Sequence, residues 1–340
     1  VLAGARPGAR LEALPLRMSA RLRPLITTAL ALGIILFVTG QAAKSAFRPS
    51  HAQLQGGAAA TPPAPLSPTP VPRFYQPEPV RIDMTRAAPP LRPEPPQVNA
   101  RAAIVIDMQR MQVLYTKEPH ARLPIASTTK IATALVAIEQ ADLSKEITVP
   151  PQATAVEPNH MGLRAGEKLT LRELLYGLML DSGNDAAEAI AEGVAGRETF
   201  IKMMNDKAWS LGLENTHFTN PTGFDDPQHY SSAYDLAVLA SYAMKKHPFF
   251  RELVATKRYV ISPTPQHGWF GPTNLNQLLW TYQGATGIKP GWTEQANYTL
   301  VASATRGDRS VLVVVLGTNR HFTDATLLLD YGFARLSQEG

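Results

Sequence analysis

The chain contains no cysteine, so an exported fold built from it would rely on no disulfide. Its eight histidines are scattered and none falls in a metal-ligand spacing such as H-E-x-x-H, so no metal and no cofactor is expected. Glycine-rich phosphate loops are missing as well. The surplus of positive charge does not extend over the whole chain. Residues 1–101 carry 12 Lys/Arg against 4 Asp/Glu, whereas the remainder carries 21 against 24. The folded part is therefore slightly acidic and offers no electrostatic case for a nucleic-acid partner.

The apolar run Leu25 to Thr39 is about fifteen residues, short of the roughly 20 of a comfortable membrane span. It follows Arg17, Arg21 and Arg23, and a basic flank before such a run reads as a signal peptide or a signal anchor. The expected organisation is a basic cytoplasmic N-terminus over 1–24, the signal or anchor helix over 25–40, and a Pro-rich disordered linker over 41–98. An exported catalytic domain over 99–340 follows. Thirteen of the 29 prolines lie between 61 and 96, and at ~3 Å per residue such a spacer could reach on the order of 150 Å. Membrane attachment is expected through the N-terminal segment.

Three short motifs follow in order: Ser127-Thr128-Thr129-Lys130, Ser182-Gly183-Asn184 and Lys289-Pro290-Gly291. Apolar residues at helical spacing from Ile131 to Ile138 predict a buried helix of about three turns with Ser127 in its first turn. Lys130 then shares a helical face with Ser127, and its alkyl neighbours Ile131 and Ala134 disfavour the ammonium form. That pair is a nucleophile and a base, although an N-cap serine beside a solvated lysine reads equally well. The amphipathic run Leu171–Leu180 predicts a helix that runs into a tight loop holding Ser182 and Asn184, with a second helix starting at Asp185; these short polar side chains suit proton relay and amide binding, or ordinary turn and cap chemistry. Tyr298–Ala304 and Ser310–Leu316 predict a hairpin. Lys289 then precedes that hairpin on an extended segment, with Gly291 open to a substrate backbone, unless Lys-Pro-Gly is only a turn. Two further strands are expected at Ala103–Asp107 and Gln112–Tyr115, helices through 128–250, and a last helix at 323–337. That order predicts one α+β domain with its antiparallel sheet built from both ends.

The motifs in this order resemble those of the serine penicillin-binding proteins and β-lactamases. The chain is most similar to the low-molecular-weight D-alanyl-D-alanine carboxypeptidases of the S11 serine peptidase family. Pro124–Ile131, Leu174–Leu180, Thr219–Asp225, His229–Ala237, Asn274–Asn276 and Ala296–Ala304 carry the resemblance, which spans about 99 to 337. It implies a penicillin-binding-protein/serine β-lactamase-like transpeptidase fold, an antiparallel sheet with helices on both sides. It also implies that Ser127 is the nucleophile, Lys130 its base and Ser182 the proton relay to the departing D-alanine. Asn184 and Lys289 would bind the substrate, beside Gly291, and the N–H groups of Ser127 and Trp292 would form the oxyanion hole. The implied partners are peptidoglycan stem peptides, with β-lactam antibiotics as covalent inhibitors. Two positions depart from the family. Pro290 stands where threonine is common, and Asp324 falls where an arginine is common, with Arg320 a candidate substitute. Both concern a free C-terminal carboxylate. They keep open a DD-endopeptidase of cross-links, or a catalytically weak peptidoglycan-binding or regulatory homologue. A β-lactamase would need a deacylating base, and no E-x-x-x-N element follows Ser182-Gly183-Asn184.

Overall fold

The computed structural model describes residues 81–84 and 94–338. The expected segments 1–24 and 25–40, and most of 41–98, lie outside the described residues. Among the described residues no helix is long and apolar enough to cross a membrane.

The chain forms β1 (Ala102–Asp107), β2 (Gln112–Lys117), α1 (Lys130–Gln140), β3 (Glu146–Thr148), β4 (Lys168–Thr170), α2 (Leu171–Leu180) and α3 (Asn184–Ala195). It continues through α4 (Arg197–Ser210), α5 (Ala233–Lys246), α6 (Pro248–Ala255) and the short α7 (Leu278–Thr281). Three long strands, β5 (Ala285–Thr293), β6 (Asn297–Arg306) and β7 (Arg309–Thr318), precede the last helix α8 (His321–Gln338). The main sheet has the order β2-β1-β7-β6-β5 with every neighbouring pair antiparallel. Pairing of β1 with β7 joins the two ends of the domain, as the order of elements predicts.

The strands are apolar almost throughout because both faces of the sheet are covered. Ile104, Ile106, Leu312 and Val314 join the core with α1, α2 and α5. Their alternating neighbours Ala103, Val105, Val313 and Val315 pack with Leu328, Leu329 and Phe333 of α8. Each of these valine, leucine, isoleucine and phenylalanine side chains contributes about 1.5–3 kcal/mol when fully buried.

The region 128–250 is less helical than its periodicity predicts. A second, two-stranded sheet of β3 and β4 interrupts it, and residues 211–232 form no helix. The start of α2 is fixed locally. Thr170 Oγ1 accepts the Glu173 N–H at 3.3 Å and Glu173 Oε2 accepts the Thr170 N–H at 2.8 Å, a reciprocal cap that satisfies two free donors. The helix ends where Ser182 takes a left-handed φ of 60°. The turn that carries Ser127 packs against β5, and Ser182 and Asn184 line the same cleft as that strand.

Candidate active site

Ser127 lies in a 3-10 turn, Ala126–Thr129, that leads into α1. It stands three residues before Lys130, where α1 begins, and so not in the first α-turn. Ala126 before it holds φ at 48°, a conformation unfavourable for a residue with a Cβ. The Ile125 carbonyl accepts two hydroxyls, Thr128 Oγ1 at 2.6 Å and Thr299 Oγ1 of β6 at 3.1 Å. These bonds fasten the strained turn to the sheet. Gly291 of β5 passes so close that a Cβ there would stand 2.8 Å from the Ser127 nitrogen and 2.7 Å from Thr299 Oγ1. The absent side chain at 291 is therefore required by the protein's own nucleophile turn.

Lys130 is fully buried. Its Nζ lies 2.9 Å from Ser127 Oγ, 2.7 Å from Asn184 Oδ1 and 2.7 Å from the Thr222 carbonyl. Burial pushes its ammonium well below the ordinary lysine range, and the nearby Lys289 charge pushes in the same direction. A neutral amine has two N–H donors and one lone pair. The carbonyl oxygens of Asn184 and Thr222 can only accept, so they take both donors. The lone pair is left for the Ser127 hydroxyl, which is the arrangement a general base needs.

Ser182 and Asn184 are both buried in the cleft wall. Asn184 is the first residue of α3 rather than a loop residue, and its Nδ2 donates to the Glu157 carbonyl at 2.9 Å. Its amide is thereby oriented with the oxygen towards Lys130. Ser182 Oγ has no hydrogen-bond partner among the described residues and lines the cleft. Lys289 sits within β5, paired opposite Val301, so the segment expected to be merely extended is the edge strand of the sheet. Proline at 290 is tolerated there because an edge strand has one unpaired side. Lys289 is fully buried, and its Nζ makes one hydrogen bond, to the Pro290 carbonyl at 3.2 Å. Burial lowers it to about 7, opposed by the carboxylate of Asp181. Trp292 is exposed at the cleft rim, 6.3 Å from the Tyr298 ring, which stacks on His321 at 4.6 Å.

The seven site residues read from the sequence thus come from the 126–129 turn, α1, the α2–α3 junction and β5, and they meet at one place. Five of them (Ser127, Ser182, Asn184, Gly291 and Trp292) line a cleft of about 1070 Å³. Lys130 and Lys289 lie buried behind its wall. The supporting shell was not legible residue by residue. Asn220 Oδ1 accepts the N–H groups of Thr222, Gly223 and Phe224 at 3.2, 2.7 and 3.1 Å, holding the Thr222 carbonyl towards Lys130. His229 accepts the Thr219 N–H at Nδ1 (3.1 Å), so its proton lies on Nε2, which faces Thr129 Oγ1 at 2.7 Å. Burial lowers His229 to about 4, which keeps it neutral. Asp185 accepts four N–H groups, those of Met161, Gly162, Leu163 and Ala186, and so anchors the 157–163 loop. The stretches Thr219–Asp225 and His229–Ala237 were visible in the sequence, but nothing local gave these side chains a task.

Arg320 does line the cleft. Its Nε donates to Asp324 at 2.9 Å and Nη2 to the Gln97 carbonyl at 3.4 Å. Asp324 is fully buried and also accepts Thr318 Oγ1 at 2.6 Å. Its carboxylate is thus turned inward, and Arg320 is the cation presented at that rim.

The Peptidase_S11 family model, described as D-alanyl-D-alanine carboxypeptidase, matches residues 90–320. The D-alanyl-D-alanine carboxypeptidase DacF of Bacillus subtilis is 36% identical over 246 residues, covering 70% of this chain and 63% of DacF. A D-alanyl-D-alanine carboxypeptidase of Streptomyces sp. K15 is 39% identical over 241 residues, 65% of this chain and 82% of that protein. The crystal structure of the Streptomyces K15 DD-transpeptidase superposes with a TM-score of 0.67 at 37% identity, covering 71% of this chain and 99% of that one.

Proposed function

The chain belongs to the D-alanyl-D-alanine carboxypeptidase family of S11 serine peptidases, and from that premise we propose that it hydrolyses the terminal D-Ala-D-Ala amide of peptidoglycan stem peptides through an acyl-enzyme at Ser127. The observation that carries the reading is the buried Lys130 amine, 2.9 Å from Ser127 Oγ with its two donors already engaged.

In this reading Lys130 accepts the Ser127 proton as Oγ attacks the carbonyl carbon of the penultimate D-alanine. The oxyanion that forms is held by the N–H groups of Ser127 and Trp292, donors fixed before reaction begins. Ser182 passes a proton to the leaving amine, the C–N bond breaks, and D-alanine departs. Water then attacks the ester and restores Ser127. Asn184 holds the substrate amide, Gly291 lets the peptide lie along the edge of β5, and Lys289 attracts the terminal carboxylate. A β-lactam acylates the same serine because its strained amide presents the same carbonyl.

A second reading, cleavage of cross-linked peptides, draws on one observation. Arg320 is already paired with Asp324 and Pro290 supplies neither hydroxyl nor N–H, so recognition of a free carboxylate leans chiefly on Lys289. Mass spectrometry of purified muropeptides after incubation separates the two. Loss of one alanine from pentapeptides supports the carboxypeptidase, and cross-linked dimers falling to monomers supports the endopeptidase. Unchanged muropeptides would refute both. We also propose that residues 25–40 carry the chain out of the cytoplasm and hold it at the membrane, with the Pro-rich stretch as a tether. Fractionation of cells with and without residues 1–40 tests this, and unaltered partitioning would contradict it.

A further inference from the structure

Along β5 the side chains alternate between two surroundings. Lys289 and Gly291 turn inward and are buried, while Pro290 and Trp292 share the opposite face and open onto the cleft. Tyr298 of β6 stands directly opposite Trp292 in the strand register, so the two rings rise from that same face as a cross-strand pair. The Tyr298 ring lies nearly parallel to His321, at an interplanar angle of 7°, and the His321 ring is 4.0 Å from Phe322. Four aromatic rings from β5, β6 and the first turn of α8 therefore run in series along one wall of the cleft, next to Pro290.

The wall is anchored at both ends. Phe322 packs against the core beneath α8, and Thr293, beside Trp292, donates from Oγ1 to Asp225 at 2.7 Å. Burial lowers His321 to about 4, so its ring carries no charge near neutrality. Yet Trp292 is 56% exposed and Tyr298 40%. Large aromatic side chains left open side by side within a cleft mark a surface that a ligand covers.

The acyl-enzyme reading says which part of the ligand. The scissile carbonyl lies at the N–H groups of Ser127 and Trp292, and the terminal carboxylate is drawn to Lys289. The residue that leaves then spans the stretch of β5 between those points, over Pro290 and beside the Trp292 ring. Alanine offers that wall a single methyl group, whereas the cleft of about 1070 Å³ has room for far more.

The geometry points to an apolar subsite for the leaving residue, formed by Pro290, Trp292, Tyr298 and His321, that takes a terminal D-amino acid with a large apolar side chain in preference to D-alanine. The inference rests on the acyl-enzyme reading and deepens it by naming the substrate class. The bonds made and broken are the same, and only the amino acid released differs. Pro290 gains a task as well, because its ring supplies an apolar floor where a hydroxyl would be left without a partner.

The test compares kcat/KM on two peptides, acetyl-L-Lys-D-Ala-D-Ala and acetyl-L-Lys-D-Ala-D-Phe, by chromatography of the released D-amino acid. Wild type should favour the phenylalanine peptide by about tenfold, the scale of one added aromatic contact. Tyr298→Ala should bring that ratio down to about two, and Tyr298→Phe, which keeps the ring face, should preserve it. His321→Ala probes the same wall from α8 should Tyr298→Ala fail to fold, and it should lower the ratio too. A wild-type ratio of one or less would overturn the subsite, as would an equal loss on both peptides in the variants, the mark of a merely structural role. A ratio of one combined with inhibition by a peptide-free N-acetylhexosamine disaccharide would assign the wall to a sugar instead, and overturn it likewise. A wild type that cleaves neither peptide would bring down the carboxypeptidase reading together with this inference, whereas cleavage of the alanine peptide alone would bring down only the inference.

Discussion

Gly223→Ala tests how firmly the nucleophile turn is wedged in place. Gly223 holds φ at 94°, and an added Cβ would stand 2.0 Å from the Ala126 carbonyl oxygen and 3.0 Å from the Ser127 nitrogen. Neither side can yield easily. The Gly223 N–H is fixed to Asn220 Oδ1 at 2.7 Å, and the preceding Thr222 carbonyl is fixed to Lys130. Left-handed strain on alanine costs about 1–3 kcal/mol, and forcing a methyl into a packed site costs about the same again. For a domain of this size the sum lowers Tm by roughly 5–20 °C. The same push displaces the Ser127 N–H and Oγ, and a shift of about 1 Å in a reacting group costs on the order of 10²-fold in rate. Calorimetry and the benzylpenicillin acylation rate read the two effects. Gly212→Ala is the control: its φ is 71° with nothing within 4 Å of the added Cβ, so it should lose some stability and no reactivity. A Gly223→Ala protein that melts and acylates like wild type would refute this account of the turn.

Lys130→Met should abolish the base while nearly filling its volume, lowering acylation by about 10²–10⁴-fold with the circular dichroism spectrum retained; a rate within a few-fold of wild type would remove Lys130 from the reaction. The pH profile of kcat/KM should be bell-shaped, with the acid limb set by protonation of Lys130 and the alkaline limb by loss of the Lys289 cation near 7. Saturating substrate places a carboxylate beside Lys289 and favours its charge, so the alkaline limb of kcat should lie higher than that of kcat/KM. Stability carries the same signature. Because folding lowers Lys289 from 10.5 to about 7, the unfolded chain binds more protons than the native one between those values, and stability rises with pH across that window. Urea unfolding at pH 7 and pH 9 should show wild type gaining on Lys289→Met, and equal slopes would contradict the burial of a neutral amine.

What was legible in the sequence was whatever a short stretch of chain determines. Ser127 and Lys130 are three residues apart, α2 is the amphipathic run Leu171–Leu180, and the β6–β7 hairpin is two apolar runs with a turn between them. Their outcome follows from local geometry and periodicity. The contacts that give Lys130 its state are different in kind. Asn184 and Thr222 are 54 and 92 residues away along the chain, and only the packed fold brings their oxygens together. The β3–β4 pair was hidden because three-residue strands leave no periodic trace. Gly291 was visible as a residue suited to close approach, but not that its neighbour would be the Ser127 N–H. Asp324 was noted as a departure, and its inward turn onto Thr318 and Arg320 could be seen only once α8 was placed.

Intact-protein mass spectrometry after exposure to benzylpenicillin, on wild type and Ser127→Ala, tests the central claim most directly. A gain equal to one whole antibiotic, localised to the peptide bearing Ser127 and absent from Ser127→Ala, is the predicted result. No gain in the wild type, or an equal gain in both proteins, would contradict it.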